Sequence, residues 1–386
     1  MKGIASIEQA IEDIRTGRMI ILIDDEDREN EGDLVIAADL VTPQSINFMA
    51  THARGLICVA LSHDRVNAIG LDPMVRHNRA PLETAFTTSV DAREATSGIS
   101  ASDRSLTVQR LIAKGATLGD FRVPGHTFPL SSREGGVLVR AGQTEGSVDL
   151  AVLAGLQPGA VICEIMNPDG TMARLDDLLA FGEEHDIHVV TIADLVEHRM
   201  QTESFVKEVA RVQLPTAYGH FTACAFENSL DTHVHIALVM GDVGDNRETL
   251  VRVHRGDLIS DVFDFRGDRR VNRLDWALRR IAEEGRGVLL YLRTGSSGET
   301  TINSLRAYLQ RNAKSPSTAD KPVSGGMNFR DFGIGAQILS HVGLNRIRVL
   351  TNNSHPLRGL SGFGLEIVGW EPIRLDDDEQ NPSSDV

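Results

Sequence analysis

The chain has 386 residues, 41% of them hydrophobic and 24% charged, with a formal net charge of -15. That length exceeds one ordinary core and implies two domains, and the composition is globular rather than disordered. The negative balance excludes sequence-independent nucleic-acid binding, and no apolar run reaches the roughly 20 residues that span a bilayer.

Met1-Lys2-Gly3 leads straight into mixed polar sequence without a signal-peptide pattern, so a cytoplasmic location is expected. Cys58, Cys163 and Cys224 form no CxxC pair, which predicts buried reduced thiols. Residues 6–17 read as a helix: Ser6 and Gln9 make a capping box, Ile7, Ala10, Ile11 and Ile14 share a face, and Gly17 closes it. Short apolar strands are expected over 19–23 and 34–37. Thr42 caps a helix with Pro43 at its first position, 56–61 is a strand, and Ser102 caps a helix through Leu111 and Ile112. Beyond Gly135-Gly136, a strand over 137–139, a helix over 145–153, a strand over 161–165, a helix over 175–181 and a strand end over 189–192 follow.

This alternation predicts a layered α/β (α+β) domain, with the direction of its strands left open. The polar segment 197–207 marks a boundary, giving a first domain over 1–200, a linker over 201–207 and a second domain over 208–373. In the second, 234–240, 287–292 and 346–350 read as strands, and 274–284 and 336–342 as helices. Residues 314–326 read as a loop and 374–386 as a disordered acidic tail.

Seven carboxylates stand in the ten residues Asp24 to Asp33. A solvated acidic turn is the simplest account of such a run. Two features favour a site: apolar strands tether both ends, and Arg28 offers a fork of N–H donors for a phosphate or carboxylate. Crowded carboxylates call for a cation, and hard oxygen ligands suit Mg²⁺ or Mn²⁺. Arg140-Ala141-Gly142-Gln143-Thr144-Glu145 joins a strand to a helix start, where free amides attract anions. In Arg122-Val123-Pro124-Gly125-His126, Pro and Gly place a histidine on a rigid loop, and Glu164 ends an apolar strand where burial would raise its pKa. His233 and His235 alternate on a strand without a third ligand, so a structural role is expected.

Asp24 to Asp33, Ala85-Phe86-Thr87, Gly98-Ile99-Ser100-Ala101, Arg122 to His126 and Cys163-Glu164-Ile165-Met166-Asn167 together resemble 3,4-dihydroxy-2-butanone 4-phosphate synthase, over about residues 1–200. The resemblance implies a homodimeric lyase that converts D-ribulose 5-phosphate to a four-carbon riboflavin precursor and formate, using Mg²⁺ or Mn²⁺. Carried over by position, it implies that Arg28 and Asp33 contact substrate, with Glu31 in the same polar shell. Glu29 binds metal, His126 and Glu164 are the acid–base residues, and Arg140, Ala141, Gly142 and Thr144 hold the phosphate end. Three positions depart from the family: Gln143 replaces a metal-binding histidine, Glu83 a glycine and Ser97 a threonine. A glutamine oxygen is still a hard donor, so Gln143 stays in the expected metal set. A non-catalytic scaffold homologue and a lyase for a related sugar phosphate are the alternatives.

Residues from about 208 to 373 resemble GTP cyclohydrolase II, through Leu214-Pro215-Thr216, Leu250-Val251-Arg252-Val253-His254, residues 305–308, residues 330–339 and Leu350-Thr351-Asn352-Asn353. That family holds zinc with three cysteine thiolates, and here the matching positions are Asp257, Asp268 and Arg270. The phosphate-binding run is rewritten as Arg293-Thr294-Gly295-Ser296-Ser297-Gly298-Glu299. Tyr308 and Arg330 survive at catalytic positions, while Asn328 replaces an acid. No zinc and no GTP cyclohydrolase activity are therefore expected of this half. It would serve dimerisation, stability or regulation.

Overall fold

The computed structural model describes residues 3–25, 28–263, 273–293, 329–352 and 363–373. Glu26, Asp27, Asp268, Arg270, Tyr308, Asn328, residues 294–299, the loop 314–326 and the tail 374–386 lie outside them, as does the side chain of Arg330. The chain divides into two compact units, Met1–Arg199 and Met200–Val386. The polar segment 197–207 holds the end of a helix and the start of a strand rather than irregular chain.

In the first unit, β1 (Ile20–Ile23), β2 (Gly32–Ala37), β3 (Cys58–Leu61), β4 (Val90–Ala92), β5 (Phe121–Ser131), β6 (Gly159–Glu164) and β7 (His188–Thr191) form one mixed sheet of order β4-β5-β3-β6-β2-β1-β7. Parallel pairs join β1 to β7 and β3 to β5, and the other neighbours are antiparallel. Every residue of β1, β2 and β3 is buried, so apart from Gly32 and Asp33 at the start of β2 these strands read as apolar runs without alternation. On one face Ile21, Leu34, Val59 and Val161 share a core with Ile46 of α2 (Pro43–Phe48), and with Leu111 and Leu178 from helices later in the chain. The remaining helices of this unit are α1 (Ile7–Arg15), α3 (His63–Ile69), α4 (Ala101–Ile112), α5 (Gln143–Leu153), α6 (Leu175–His185) and α7 (Ile192–Thr202). α5 packs on the opposite face at Leu22, where Gly146 has no room for a Cβ.

Several expectations are revised. Ser6 caps α1, but the Gln9 side chain donates to Asp13 Oδ1 (3.1 Å) rather than closing a capping box. Ser100, not Ser102, caps α4, accepting from the Asp103 amide at 3.0 Å. Residues 136–138 are a 3₁₀ turn rather than a strand. β4 and β5 were not foreseen: β4 has three residues, and Pro124, Gly125 and Pro129 give β5 the composition of a loop.

The second unit has its own seven-stranded mixed sheet: β8 (Val206–Thr216), β9 (Gly219–Asn228), β10 (His235–Met240), β11 (Thr249–Arg255), β12 (Gly287–Leu292), β13 (Arg346–Leu350) and β14 (Glu366–Glu371). Its order is β14-β13-β11-β12-β10-β9-β8, parallel from β14 to β12 and antiparallel beyond. The described helices are α8 (Leu258–Asp261), α9 (Arg273–Glu284) and α10 (Phe329–His341). α9 buries Ala277, Leu278 and Ile281 with Leu250 and Leu289. No described helix is long and apolar enough to cross a membrane. Both units are thus α/β with a mixed sheet.

Candidate active site

The acidic segment is the connection between antiparallel β1 and β2, closed by the Ile23–Gly32 pair. Asp24 organises it. Its Oδ1 accepts from the Glu31 amide (2.8 Å), and its Oδ2 from the Glu29 amide (3.1 Å) and Arg28 Nη1 (2.6 Å). The Asp24 side chain is fully buried, so the loop is built around a carboxylate rather than draped in solvent. Arg174 fastens the far side by donating to the carbonyls of Glu29 (2.8 Å) and Asn30. Asn30 takes a left-handed φ of 55°, which asparagine tolerates better than most residues.

Arg28 Nη1 also donates to Glu29 Oε2 (2.9 Å) and to Gln143 Oε1 (2.8 Å). Glu29 and Gln143, the two residues expected to hold metal, thus present oxygens to one positive centre. That arrangement fits a hard divalent cation.

Asp33 on β2 pairs with Glu164 on β6. Burial pushes the Asp33 carboxyl well above the usual range, reinforced by Glu164, Glu29, Glu31 and Asp24. Burial raises Glu164, whose carboxylate accepts from the Leu56 amide at 2.9 Å, and it raises Glu31 as well. Cys163 is pushed up to about 12 and Cys58 higher still, first by burial and then by Glu164. All three cysteines are free and buried.

Gly142 caps α5, and a Cβ there would lie 2.5 Å from Arg140 Nη1 and 2.9 Å from Arg28 Nη2. Two guanidiniums therefore flank a helix N-terminus whose first turn holds buried Gln143 and Thr144, a setting that attracts an anion. Arg140 is fixed by buried Glu145 (2.6 Å) and by the Leu82 carbonyl (3.1 Å). Ala141 is exposed beside them.

His126 sits apart from these groups, and among the described residues no hydrogen bond or ion pair joins it to Arg28, Asp33 or Glu164. Its partner is Asp91, which sequence reasoning missed. Asp91 Oδ2 lies 2.8 Å from Nδ1, and Oδ1 accepts from the His126 amide at 2.8 Å. The β3–β5 register begins at Cys58 opposite Phe128; His126 precedes that pairing by two residues on β5, as Leu56, whose amide holds Glu164, precedes it on the chain leading into β3. Gly98 packs on the dyad with φ of 82°, in a loop pinned by Asp103, whose carboxylate accepts from Thr96, Ser97 and Gly98. Those bonds, with Thr96 foremost, hold the Asp103 carboxyl well below its ordinary range.

Glu83 adopts φ of 53°, a left-handed conformation that explains why glycine suits the position, and its carboxylate meets Arg133 at 3.2 Å.

In the second unit, Asp261 accepts from the Asp257 amide (2.9 Å) and the Tyr291 hydroxyl (2.8 Å) and lies 2.9 Å from His254 Nε2. Burial pushes Arg252 down to about 10. His235 is buried with Nε2 3.1 Å from Asn228 and Nδ1 accepting from the Arg293 amide, as a structural histidine would be; His233 lies before the strand.

The 3,4-dihydroxy-2-butanone 4-phosphate synthase family matches residues 8–198, and the GTP cyclohydrolase II family matches residues 207–372. The riboflavin biosynthesis protein RibBA of Bacillus cereus is 46% identical over 381 residues, covering 98% of this chain and 95% of that protein. The crystal structure of RibBX, a two-domain 3,4-dihydroxy-2-butanone 4-phosphate synthase from A. baumannii, has 38% identity and a TM-score of 0.76, covering 96% of this chain and 99% of that one. A 3,4-dihydroxy-2-butanone 4-phosphate synthase solved with two magnesium ions is 42% identical with a TM-score of 0.49, covering 51% of this chain and 98% of that one. The chain belongs to the RibBA family of riboflavin biosynthesis proteins. Its first unit is a 3,4-dihydroxy-2-butanone 4-phosphate synthase domain, and its second is a GTP cyclohydrolase II domain.

Proposed function

We propose that the first unit converts D-ribulose 5-phosphate to L-3,4-dihydroxy-2-butanone 4-phosphate and formate, and that the second unit does not hydrolyse GTP. The observation that carries the first reading is the pairing of buried Asp33 with half-buried Glu164, together with the anion-attracting start of α5. Arg28, Arg140, Thr144 and the backbone at Ala141 and Gly142 would hold the phosphate end. Glu29 and Gln143 would hold Mg²⁺ or Mn²⁺. When bound, that ion polarises a carbonyl oxygen and neutralises charge developing on it.

Glu164, raised by burial, holds its proton more tightly than an ordinary glutamate and can deliver it. Asp33 shares that proton inventory and faces substrate with Glu31. His126 takes and returns protons in an orientation set by Asp91, as a histidine held by a carboxylate can. The working unit is a homodimer, a reading supported by the exposed apolar side chains of Leu56, Ile99 and Val123, which are 45%, 54% and 43% exposed.

For the second unit, Asp257, Asp268 and Arg270 stand where three thiolates would hold zinc, and an arginine cannot replace a thiolate. Its role is dimerisation, stability or regulation. The relative described as a two-domain synthase agrees with that reading. The test is formate release from ribulose 5-phosphate with Mg²⁺ or Mn²⁺, beside GTP with added zinc. No formate with either metal refutes the first assignment, and zinc-dependent formate from GTP refutes the second.

A further inference from the structure

Arg28 Nη1 carries two hydrogens and faces three oxygen acceptors, from Asp24 (2.6 Å), Glu29 (2.9 Å) and Gln143 (2.8 Å). Two of these belong to the residues read above as metal ligands, and the inference rests on that reading. An amide oxygen accepts a guanidinium N–H and also coordinates a hard cation, so Gln143 suits both partners. The same oxygens cannot serve both at full strength, because the lone pairs are shared and two cations a few ångströms apart repel.

We propose that Arg28 is a resident counter-cation that exchanges with the divalent ion: it keeps Glu29 and Gln143 gathered, and metal binding transfers its charge to the anion pocket. Asp24 is the pivot. Its side chain is fully buried and its grip on Arg28 is the shortest of the three, so the guanidinium stays tethered when Glu29 and Gln143 let go. The destination is already in reach, because Nη2 lies close to Gly142 at the start of α5, beside Arg140. While Arg28 is engaged with Glu29 and Gln143, part of its charge is neutralised by Glu29. Released from them, it offers an anion a fuller positive charge. Metal and anion therefore bind with positive coupling, which linkage makes reciprocal.

The test is a titration of the full-length protein with Mn²⁺, read by electron paramagnetic resonance of the free ion. It is run with and without sulfate as the tetrahedral anion, at matched ionic strength. In the wild type, sulfate is expected to tighten Mn²⁺ binding roughly fivefold or more, within the usual range of site–site coupling. In Arg28→Met, shown folded by circular dichroism, Mn²⁺ alone binds several-fold tighter than to the wild type, and the sulfate effect disappears. Unchanged or weaker Mn²⁺ binding in folded Arg28→Met overturns the exchange, as does a sulfate effect that persists there. Should Arg28→Met fail to fold, the wild type decides alone: sulfate that leaves Mn²⁺ affinity unchanged or lowers it overturns the proposal. Glu29→Ala separates the two claims. Mn²⁺ binding that survives in it overturns the ligand assignment and the exchange together. Binding lost in Glu29→Ala but not tightened in Arg28→Met overturns the exchange only.

Discussion

Gly98→Ala tests whether the Asp91–His126 dyad serves the reaction. Gly98 is buried with φ of 82°, and a Cβ would fall 2.1 Å from Asp91 Oδ2 and 2.6 Å from His126 Nδ1. Ordinary contact begins near 3.4 Å, so the carboxylate must retreat by more than 1 Å or the loop must lift. The loop resists, because Asp103 holds Thr96, Ser97 and Gly98 together. A displacement of about 1 Å in a catalytic group costs on the order of 100-fold in rate. The left-handed backbone adds about 1–2 kcal/mol of strain with alanine, which lowers Tm by roughly 2–8 °C in a unit of this size. The assay is formate release, with kcat and KM separated, beside thermal unfolding. The expected outcome is a large fall in kcat with little change in KM, since the phosphate pocket is elsewhere. A variant with kcat within twofold of wild type would show that His126 does not depend on Asp91.

Gln143→His should tighten Mn²⁺ binding on the order of tenfold, since imidazole is a stronger ligand than an amide; unchanged affinity in the same titration would remove Gln143 from the metal set. Asp33→Asn should alter the pH dependence of stability. The folded carboxyl holds its proton above the unfolded value of about 3.9, so folding takes up a proton in that window and stability falls as pH rises through it. Urea unfolding with chelator should therefore show wild type weakening from pH 4 toward neutrality, and Asp33→Asn weakening less. Parallel curves would mean the Asp33 carboxyl is not perturbed. Chelation should leave the unfolding transition of the second unit unmoved in a calorimetric scan, whereas a fall in its Tm would reveal a structural metal.

The sequence made visible what depends on neighbours along the chain. The acidic segment, the start of α5 and the apolar runs of β1, β2 and β6 are local patterns, and their physical meaning survives translation into three dimensions. Asp91 was invisible for the opposite reason. It stands 35 residues before His126 on a three-residue strand, and its function comes from the β4–β5 pairing. Arg174 likewise reaches the acidic loop across 145 residues. Glu83 was noticed as a departure from glycine, but only its φ explains the preference. β8 escaped because it lies at a sheet edge with nearly every residue exposed, leaving no buried face to imprint alternation.

The strand ends of the second unit are ordered by a polar network. Asp261, at the end of α8, draws together the Asp257 amide, His254 at the end of β11 and Tyr291 at the end of β12. His254 and Tyr291 also stack, with ring centroids 5.5 Å apart. These bonds run through one buried carboxylate and need neither the Asp257 side chain nor a metal. The carboxylate that holds these strand ends is thus separate from the side chain of Asp257, one of the positions matched by resemblance to a zinc-binding thiolate. The first unit offers no such separation: Asp24 both builds the acidic loop and grips Arg28, so substitutions that spoil its chemistry also spoil its shape.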